Sequence, residues 1–203
     1  MSVTDESNEL HLDGLPPDVQ QFREVVREFA REKVAPRALE LDRAAHDHFA
    51  WDLVNSGHQI GLTRAILPAE FGGMGVGVVG TCLAMEELAA ACPGVALIFG
   101  ATMLGQAPVL LSGDPRLQSR FLPYFSSEQA VLACNAVCEE DAGVDLVIPE
   151  NIRHARNLTT MRREGDQYVL NGHKRVITNA AVAAFASVFV NMEGQGLRRV
   201  SPA

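Results

Sequence analysis

The chain has 203 residues, 47% of them hydrophobic and 21% charged, and 17 Lys and Arg against 25 Asp and Glu give a net charge of −8. That balance excludes disorder as the default state. It also speaks against general nucleic-acid binding, which rests on a surplus of Lys and Arg for the phosphate backbone. At roughly 150 residues per domain the length allows one large domain or two small ones. Cys82, Cys92, Cys134 and Cys138 show no CxxC spacing, so a disulfide scaffold is not expected. The opening MSVTDESNEL has neither a basic nor an apolar signal region, and the expected location is cytoplasmic.

In chain order, residues 1–14 are expected to form a loosely attached arm, 15–128 a helical domain and 129–203 a partial β-sheet domain. Pro16 and Pro17 stand where a helix begins, since a first-turn proline loses no hydrogen bond. Val19, Phe22, Val26, Phe29 and Ala30 form one apolar stripe. Arg23, Glu24, Arg27, Glu28, Arg31 and Glu32 fill the other faces and read as a solvated surface, and Pro36 interrupts the pattern. A second helix is predicted over 49–60, with Trp51, Val54 and His58 on one side and Gly61 ending it.

The stretch LPAEFGGMGVGVVG (67–80) contains a literal GxGxxG, but no strand precedes it and no acid follows about 20 residues on, so it reads as a loop opening the next helix. Helices are predicted over 78–92 and 95–112, both apolar on most faces. Residues 88–113 carry no charge, yet Pro93, Gly94, Gly100, Gly105 and Pro108 divide them and the flanks are acidic, so a core helix is expected and not a membrane span. Asp114-Pro115 is an N-cap followed by a first-turn proline. After residue 127 the period becomes strand-like, with candidate strands at 130–138, 158–163, 168–171, 174–178 and 187–192. Glu164-Gly165-Asp166 and Asn171-Gly172 are hairpin-type turn signals. The fold class is therefore α+β, an N-terminal helical bundle followed by an antiparallel sheet.

Residue types alone carry little chemistry. His46 and His48 fall on different helix faces, and no metal site is expected. Glu139-Glu140-Asp141 ends an apolar strand and reads first as a solvated turn, with a carboxylate cluster as the alternative. The Ala142-Gly143 that follows makes a tight loop whose backbone amides can meet an electron-rich ligand edge.

At these residues the sequence resembles the acyl-CoA dehydrogenase family, flavoenzymes that desaturate acyl-CoA thioesters. LPAEFGGMGVG is similar to the family's glycine-rich loop, and Met85-Glu86-Glu87-Leu88-Ala89 to its Glu-Glu-Leu-Ala helix. Leu104-Gly105-Gln106-Ala107-Pro108 and Arg120-Phe121-Leu122-Pro123 resemble medium-chain members. Residues 136–145, AVCEEDAGVD, fall on the signature Ala-x-Thr-Glu-Pro-x-Ala-Gly-Ser-Asp, and YVLNGHKRVITN (168–179) falls on the Lys-x-Trp-Ile-Thr-Asn region.

The resemblance implies a helical domain, a β domain and a C-terminal helical domain, of which this chain carries the first and most of the second. The catalytic carboxylate is then expected outside this chain, and no residue here is assigned as catalytic. The cofactor implied is FAD, at Val137, Cys138, Gly143, Val144, Val176, Ile177 and Thr178. Cys138 stands where the family has Thr, Val144 where it has Ser, Val176 where it has Trp, and Glu140 where it has Pro. Each lost hydrogen bond costs about 0.5–1.5 kcal/mol, so a weakened or lost flavin site is one expectation. The acyl pocket is expected along Leu97, Gly100 and Leu104, whose plain reading is core packing. The residues around Ile148-Pro149-Glu150-Asn151 form an extra stretch near the implied substrate entrance. The implied partners are an acyl-CoA substrate, further subunits in a homo- or hetero-oligomer, and an electron-transferring flavoprotein as acceptor. A non-catalytic partner subunit or remnant is the alternative function.

Overall fold

The computed structural model describes residues 14–45, 48–146, 148–151, 154 and 156–193. Nearly all of the expected arm, His46 and the chain's last residues lie outside them. Helix α1 (Pro17–Phe29) starts on a proline with Asp18 in its first turn and buries the predicted Val19, Phe22, Val26 and Phe29. It continues through a π turn (Ala30–Val34) and a 3-10 turn (Ala35–Arg37) into α2 (Ala38–Arg43). Pro36 lies in the 3-10 turn, where its missing N–H and ring demand a change of winding. The charged face of α1 is not all solvated. Arg23 Nε donates to Glu87 Oε1 at 2.7 Å and Arg27 Nη2 to the same oxygen at 3.1 Å, joining α1 to α4 (Gly77–Ala91).

Helix α3 (Trp51–Gln59) buries Leu53, Val54, Gly57 and His58 and ends at a left-handed Gly61 with φ 98°. Trp51 departs from the expected shared face: it is largely exposed and lies edge-on to Phe49. The glycine-rich loop before α4 follows a short 3-10 turn (Ala69–Phe71) and no strand, in keeping with a loop that opens a helix. Gly73 approaches Leu67 so closely that a Cβ would sit 1.9 Å from its carbonyl oxygen.

Helix α5 (Pro93–Leu111) is the centre of the molecule and buries Val95, Ala96, Phe99, Ala101, Thr102, Met103, Gly105 and Gln106. Among the described residues it alone is long and apolar enough to cross a membrane, yet its buried side packs against α4 and the sheet as a core helix does. Helix α6 (Pro115–Phe121) opens at Asp114, whose Oδ1 accepts from the Arg116 amide at 2.9 Å, the expected N-cap.

The strands are β1 (Ala133–Ala136), β2 (Thr160–Glu164), β3 (Gln167–Asn171), β4 (Phe185–Val188) and β5 (Asn191–Met192). Strands β2 and β3 form the antiparallel hairpin expected at Gly165, with Thr160 opposite Asn171. Elsewhere the pairing is parallel, Ala133 facing Phe185 in β1–β4 and Thr160 facing Asn191 in β2–β5. The helical-then-sheet order stands, but the expected antiparallel sheet is instead two: a parallel pair β1–β4, and a three-stranded sheet β3-β2-β5 that is mixed because β5 pairs with β2 in the same direction.

Two expectations are corrected. Residues 174–178 form no strand, since Val176 is left-handed at φ 55° and turns follow it. Asn171-Gly172 makes no hairpin; Gly172 lies against Thr159, where a Cβ would come 2.6 Å from the Thr159 Cα. The helical and sheet parts meet where α5 crosses β1: a Cβ on Gly105 would lie 2.7 Å from the Ala133 Cβ and 2.8 Å from the Cys134 carbonyl oxygen. Ser187 Oγ donates to the Gly105 carbonyl at 2.7 Å across the same seam.

Candidate functional site

Two loops leave the sheet side by side. The first, 137–146, is closed by Glu139 N donating to the Ala142 carbonyl at 2.7 Å and Leu146 N to the Gly143 carbonyl at 3.0 Å. Gly143 N donates to Asp145 Oδ1 at 2.6 Å. A Cβ on Gly143 would sit 3.7 Å from Cys138 Sγ, so the thiol lies over that glycine. The second loop, 172–184, is pinned to the first by Arg175 N donating to the Cys138 carbonyl at 3.0 Å.

Val137, Cys138 and Gly143 are thereby brought beside Val176, which is 85% exposed in its left-handed conformation. A β-branched residue held left-handed is strained, so this loop shape is imposed by its surroundings. Ile177 and Thr178 follow, both half-buried. Val144 lies in the short Val144–Leu146 turn, and its side chain is outside the described residues.

Asn179 connects this pair of loops to α5. It is left-handed at φ 68°, and its Nδ2 donates to the Ile98 carbonyl at 2.8 Å, the Ala133 carbonyl at 3.2 Å and Thr102 Oγ1 at 3.3 Å. The sequence reading assigned it no role; the available signal was an asparagine in a stretch that turns, since Asn tolerates the left-handed region. Elsewhere on α5, Leu97 and Leu104 are 53% and 56% exposed. Gly100 lies between them, with Met85 Sδ 3.7 Å from where its Cβ would be. The plain core reading of these leucines is overturned: they form an open apolar stripe.

The acidic run divides. Glu140 and Asp141 are exposed, while Glu139 is buried. Its Oε1 accepts from Thr159 N at 2.9 Å and meets Lys174 Nζ at 2.8 Å, and its Oε2 accepts from Leu158 N at 2.5 Å. Burial pushes its carboxyl up, but the bonds from Lys174, Thr159 and the two amides outweigh burial and hold it at about 2 against an ordinary 4.5. Neither a solvated turn nor a carboxylate cluster describes it. Glu139 is an engaged anion with no free face for proton transfer.

A flavin ring is a flat, largely apolar plate with polar edges. Val176 standing clear of the loop, the Cβ-free face of Gly143 and the half-buried Thr178 hydroxyl fit such a plate. The Lys174 ammonium is occupied by Glu139, the Val137 carbonyl and Asn157 Oδ1, which leaves it unavailable to a pyrophosphate. Among the described residues no three His, Cys, Asp or Glu are grouped to hold a metal ion.

A sequence profile of the acyl-CoA dehydrogenase N-terminal domain matches residues 16–129. The chain belongs to the acyl-CoA dehydrogenase family. It is 37% identical over 167 residues to cyclohex-1-ene-1-carbonyl-CoA dehydrogenase of Geobacter metallireducens, covering 82% of this chain and 41% of that relative. Butyryl-CoA dehydrogenase from Megasphaera elsdenii superposes with a TM-score of 0.73 at 28% identity, covering 87% of this chain and 44% of that one. An acyl-CoA dehydrogenase complexed with FAD from Bacillus anthracis gives 0.75 at 27% identity, covering 90% and 30%. The chain spans about two fifths of the length of the curated relatives it matches. The profile stops at 129, and the superpositions extend the likeness into the sheet where both loops lie.

Proposed function

We propose that this chain supplies one wall of the substrate and flavin cleft of an acyl-CoA dehydrogenase-type flavoprotein. Leu97, Gly100 and Leu104 would receive the acyl chain, and Val137, Cys138, Gly143, Val144, Val176, Ile177 and Thr178 the edge of the FAD ring. The observation that supports this reading is Asn179, which ties the second loop to Ile98 and Thr102 of α5, the helix that also carries Leu97, Gly100 and Leu104. Bound FAD would take up the hydride leaving the acyl β-carbon. The chain's own residues hold and orient the acyl group and keep water from it.

Removing the α-proton needs a carboxylate with an open oxygen. Glu139 is spent on structural bonds, and Glu140 pairs with Arg175 on the surface. In keeping with the family resemblance, the base is expected from polypeptide beyond this chain, as part of a homo- or hetero-oligomer, with an electron-transferring flavoprotein as acceptor. The relative named for cyclohex-1-ene-1-carbonyl-CoA makes an alicyclic acyl-CoA the first substrate to test.

The departures at Cys138, Val144 and Val176 favour a second reading, a flavin-poor partner subunit. The test is FAD binding followed by visible absorbance, for the chain and for a Cys138→Thr/Val176→Trp variant. An artificial-dye dehydrogenase assay is run alongside, with and without the C-terminal half of the Geobacter metallireducens relative. The first reading expects flavin to bind and turnover to require the added half. Binding only in the variant favours the second reading. Turnover by the chain alone refutes both.

A further inference from the structure

The sheet end of the molecule contains a charged clasp that no candidate site residue explains. Lys174 Nζ directs its three hydrogens to three acceptors on different segments: Glu139 Oε1 at 2.8 Å, the Val137 carbonyl at 3.0 Å and Asn157 Oδ1 at 2.7 Å. Glu139 is equally committed, to Lys174, to the amides of Leu158 and Thr159 and to the Thr159 hydroxyl. Asn157 Nδ2 donates onward to the Phe189 carbonyl at 3.3 Å, and Asn191 Nδ2 to the Asn157 carbonyl. The side chains of Lys174 and Glu139 are 10% and 4% exposed.

A buried ion pair is weak evidence for stability, because desolvating two charges offsets much of their attraction and a well-packed apolar pair often serves as well. What charges supply, and packing does not, is directional bonding to named partners. Here one side chain is carried by each loop, Glu139 by the first and Lys174 by the second, and the backbone groups they bond are the Val137 carbonyl and the Leu158 and Thr159 amides. The next peptides along are Cys138, whose carbonyl accepts from Arg175, and the left-handed Val176.

We propose that Glu139 and Lys174 are positioning residues: their ion pair sets the register of the 137–143 peptide against the 174–178 peptide, and so shapes the surface on which the flavin ring would lie. The flavin part of this proposal rests on the function proposed above. The loop-register part stands on the geometry of the chain itself. The pair acts through the Cys138 carbonyl and the Val176 backbone, and neither charge faces the ligand. The strained conformation of Val176 is the form in which the clasp holds the second loop.

The test uses the full chain in four forms: wild type, Glu139→Gln, Lys174→Met and the apolar double variant Glu139→Leu/Lys174→Met. Amide exchange by mass spectrometry is read on peptides covering 137–146 and 172–180, with α1 and α4 as internal controls. Thermal unfolding and FAD binding by equilibrium dialysis are read on the same proteins. Each single variant is expected to raise exchange in both loops at least tenfold while α1 and α4 stay protected. The double variant is expected to recover thermal stability toward wild type while its loops stay fast-exchanging and FAD affinity stays at least tenfold down.

Unchanged loop exchange in the single variants, or exchange that rises equally in α1 and α4, overturns the proposal. Restored loop protection or FAD affinity in the double variant also overturns it, because packing would then suffice. If wild type takes up no FAD under any condition, the proposed function falls while the exchange arm still decides the clasp.

Discussion

Replacing Asn179 tests the seam on which the functional reading rests. Its Nδ2 has two hydrogens for three acceptors at 2.8, 3.2 and 3.3 Å, so the side chain makes about two good bonds. At 0.5–1.5 kcal/mol each, their loss is worth about 1–3 kcal/mol. The backbone adds a second contribution, since φ is 68° and a Cβ-bearing residue without a local polar group loses about 1–2 kcal/mol there. Asn179→Gly removes only the bonds and should cost about 1–3 kcal/mol. Asn179→Ala removes the bonds and adds the strain, for about 2–5 kcal/mol. Asn179→Asp should cost at least as much, because a carboxylate would face the Ile98 and Ala133 carbonyl oxygens. Urea unfolding followed at Trp51, the single tryptophan, measures the series, and amide exchange in 176–183 locates it. Gly and Ala variants within 0.5 kcal/mol of wild type (about the scatter of neutral surface changes), with unchanged exchange, would refute the seam.

Three further outcomes follow from other parts of the molecule. The folded Glu139 carboxyl is lowered to about 2 from 4.5, so its contribution to stability is complete above about 4.5 and is lost as pH falls toward about 2. Glu139→Gln should flatten that acid limb in unfolding curves taken between pH 5 and pH 2, and an unchanged limb would assign the dependence elsewhere. Gly105→Ala gains about 1 kcal/mol of helix propensity, but its methyl meets the Ala133 Cβ and Cys134 backbone, so the expected net is a loss of about 1–2 kcal/mol by chemical denaturation. The exposed Leu97 and Leu104 together with the exposed Val78, Val79 and Leu111 predict weak, concentration-dependent association that Leu104→Glu reduces, and sedimentation velocity showing a compact monomer at all concentrations would contradict it.

The helical half was readable because its signals are local. The stripe Val19, Phe22, Val26, Phe29 needs only period, Gly61 only its lack of a Cβ, and Asp114 only the proline after it. The sheet half was less so. Val176 has the β-branched chemistry of a strand, yet contacts made by its neighbours hold it left-handed. The parallel pairing of β1 with β4 joins segments about fifty residues apart, a distance at which no turn signal operates. Glu139 looked like one acid of three because its partners Thr159 and Lys174 lie far along the chain. The matched motifs located both loops; they did not reveal that Asn179 binds them to α5.

Helix α5 shows why hydrophobicity alone left its open face unread. One side enters the helical core through Phe99 and Met103, another meets β1 at Gly105, and Leu97 and Leu104 stay exposed. Apolar residues on every side erase the periodic contrast that distinguishes a buried face from an exposed one. Fully burying a leucine yields about 1.5–3 kcal/mol, so covering two that are already half-covered yields about 2–3 kcal/mol in all. Binding a second protein costs at least about 4 kcal/mol in lost translation and rotation, so this stripe alone does not hold a partner firmly. Under the proposed function an acyl chain carried on a larger molecule would meet the same face on better terms, because contacts elsewhere on the thioester would bear part of that cost. A small open stripe on the helix to which the second loop is stitched is therefore better matched to the proposed cleft wall than to a stand-alone dimer surface.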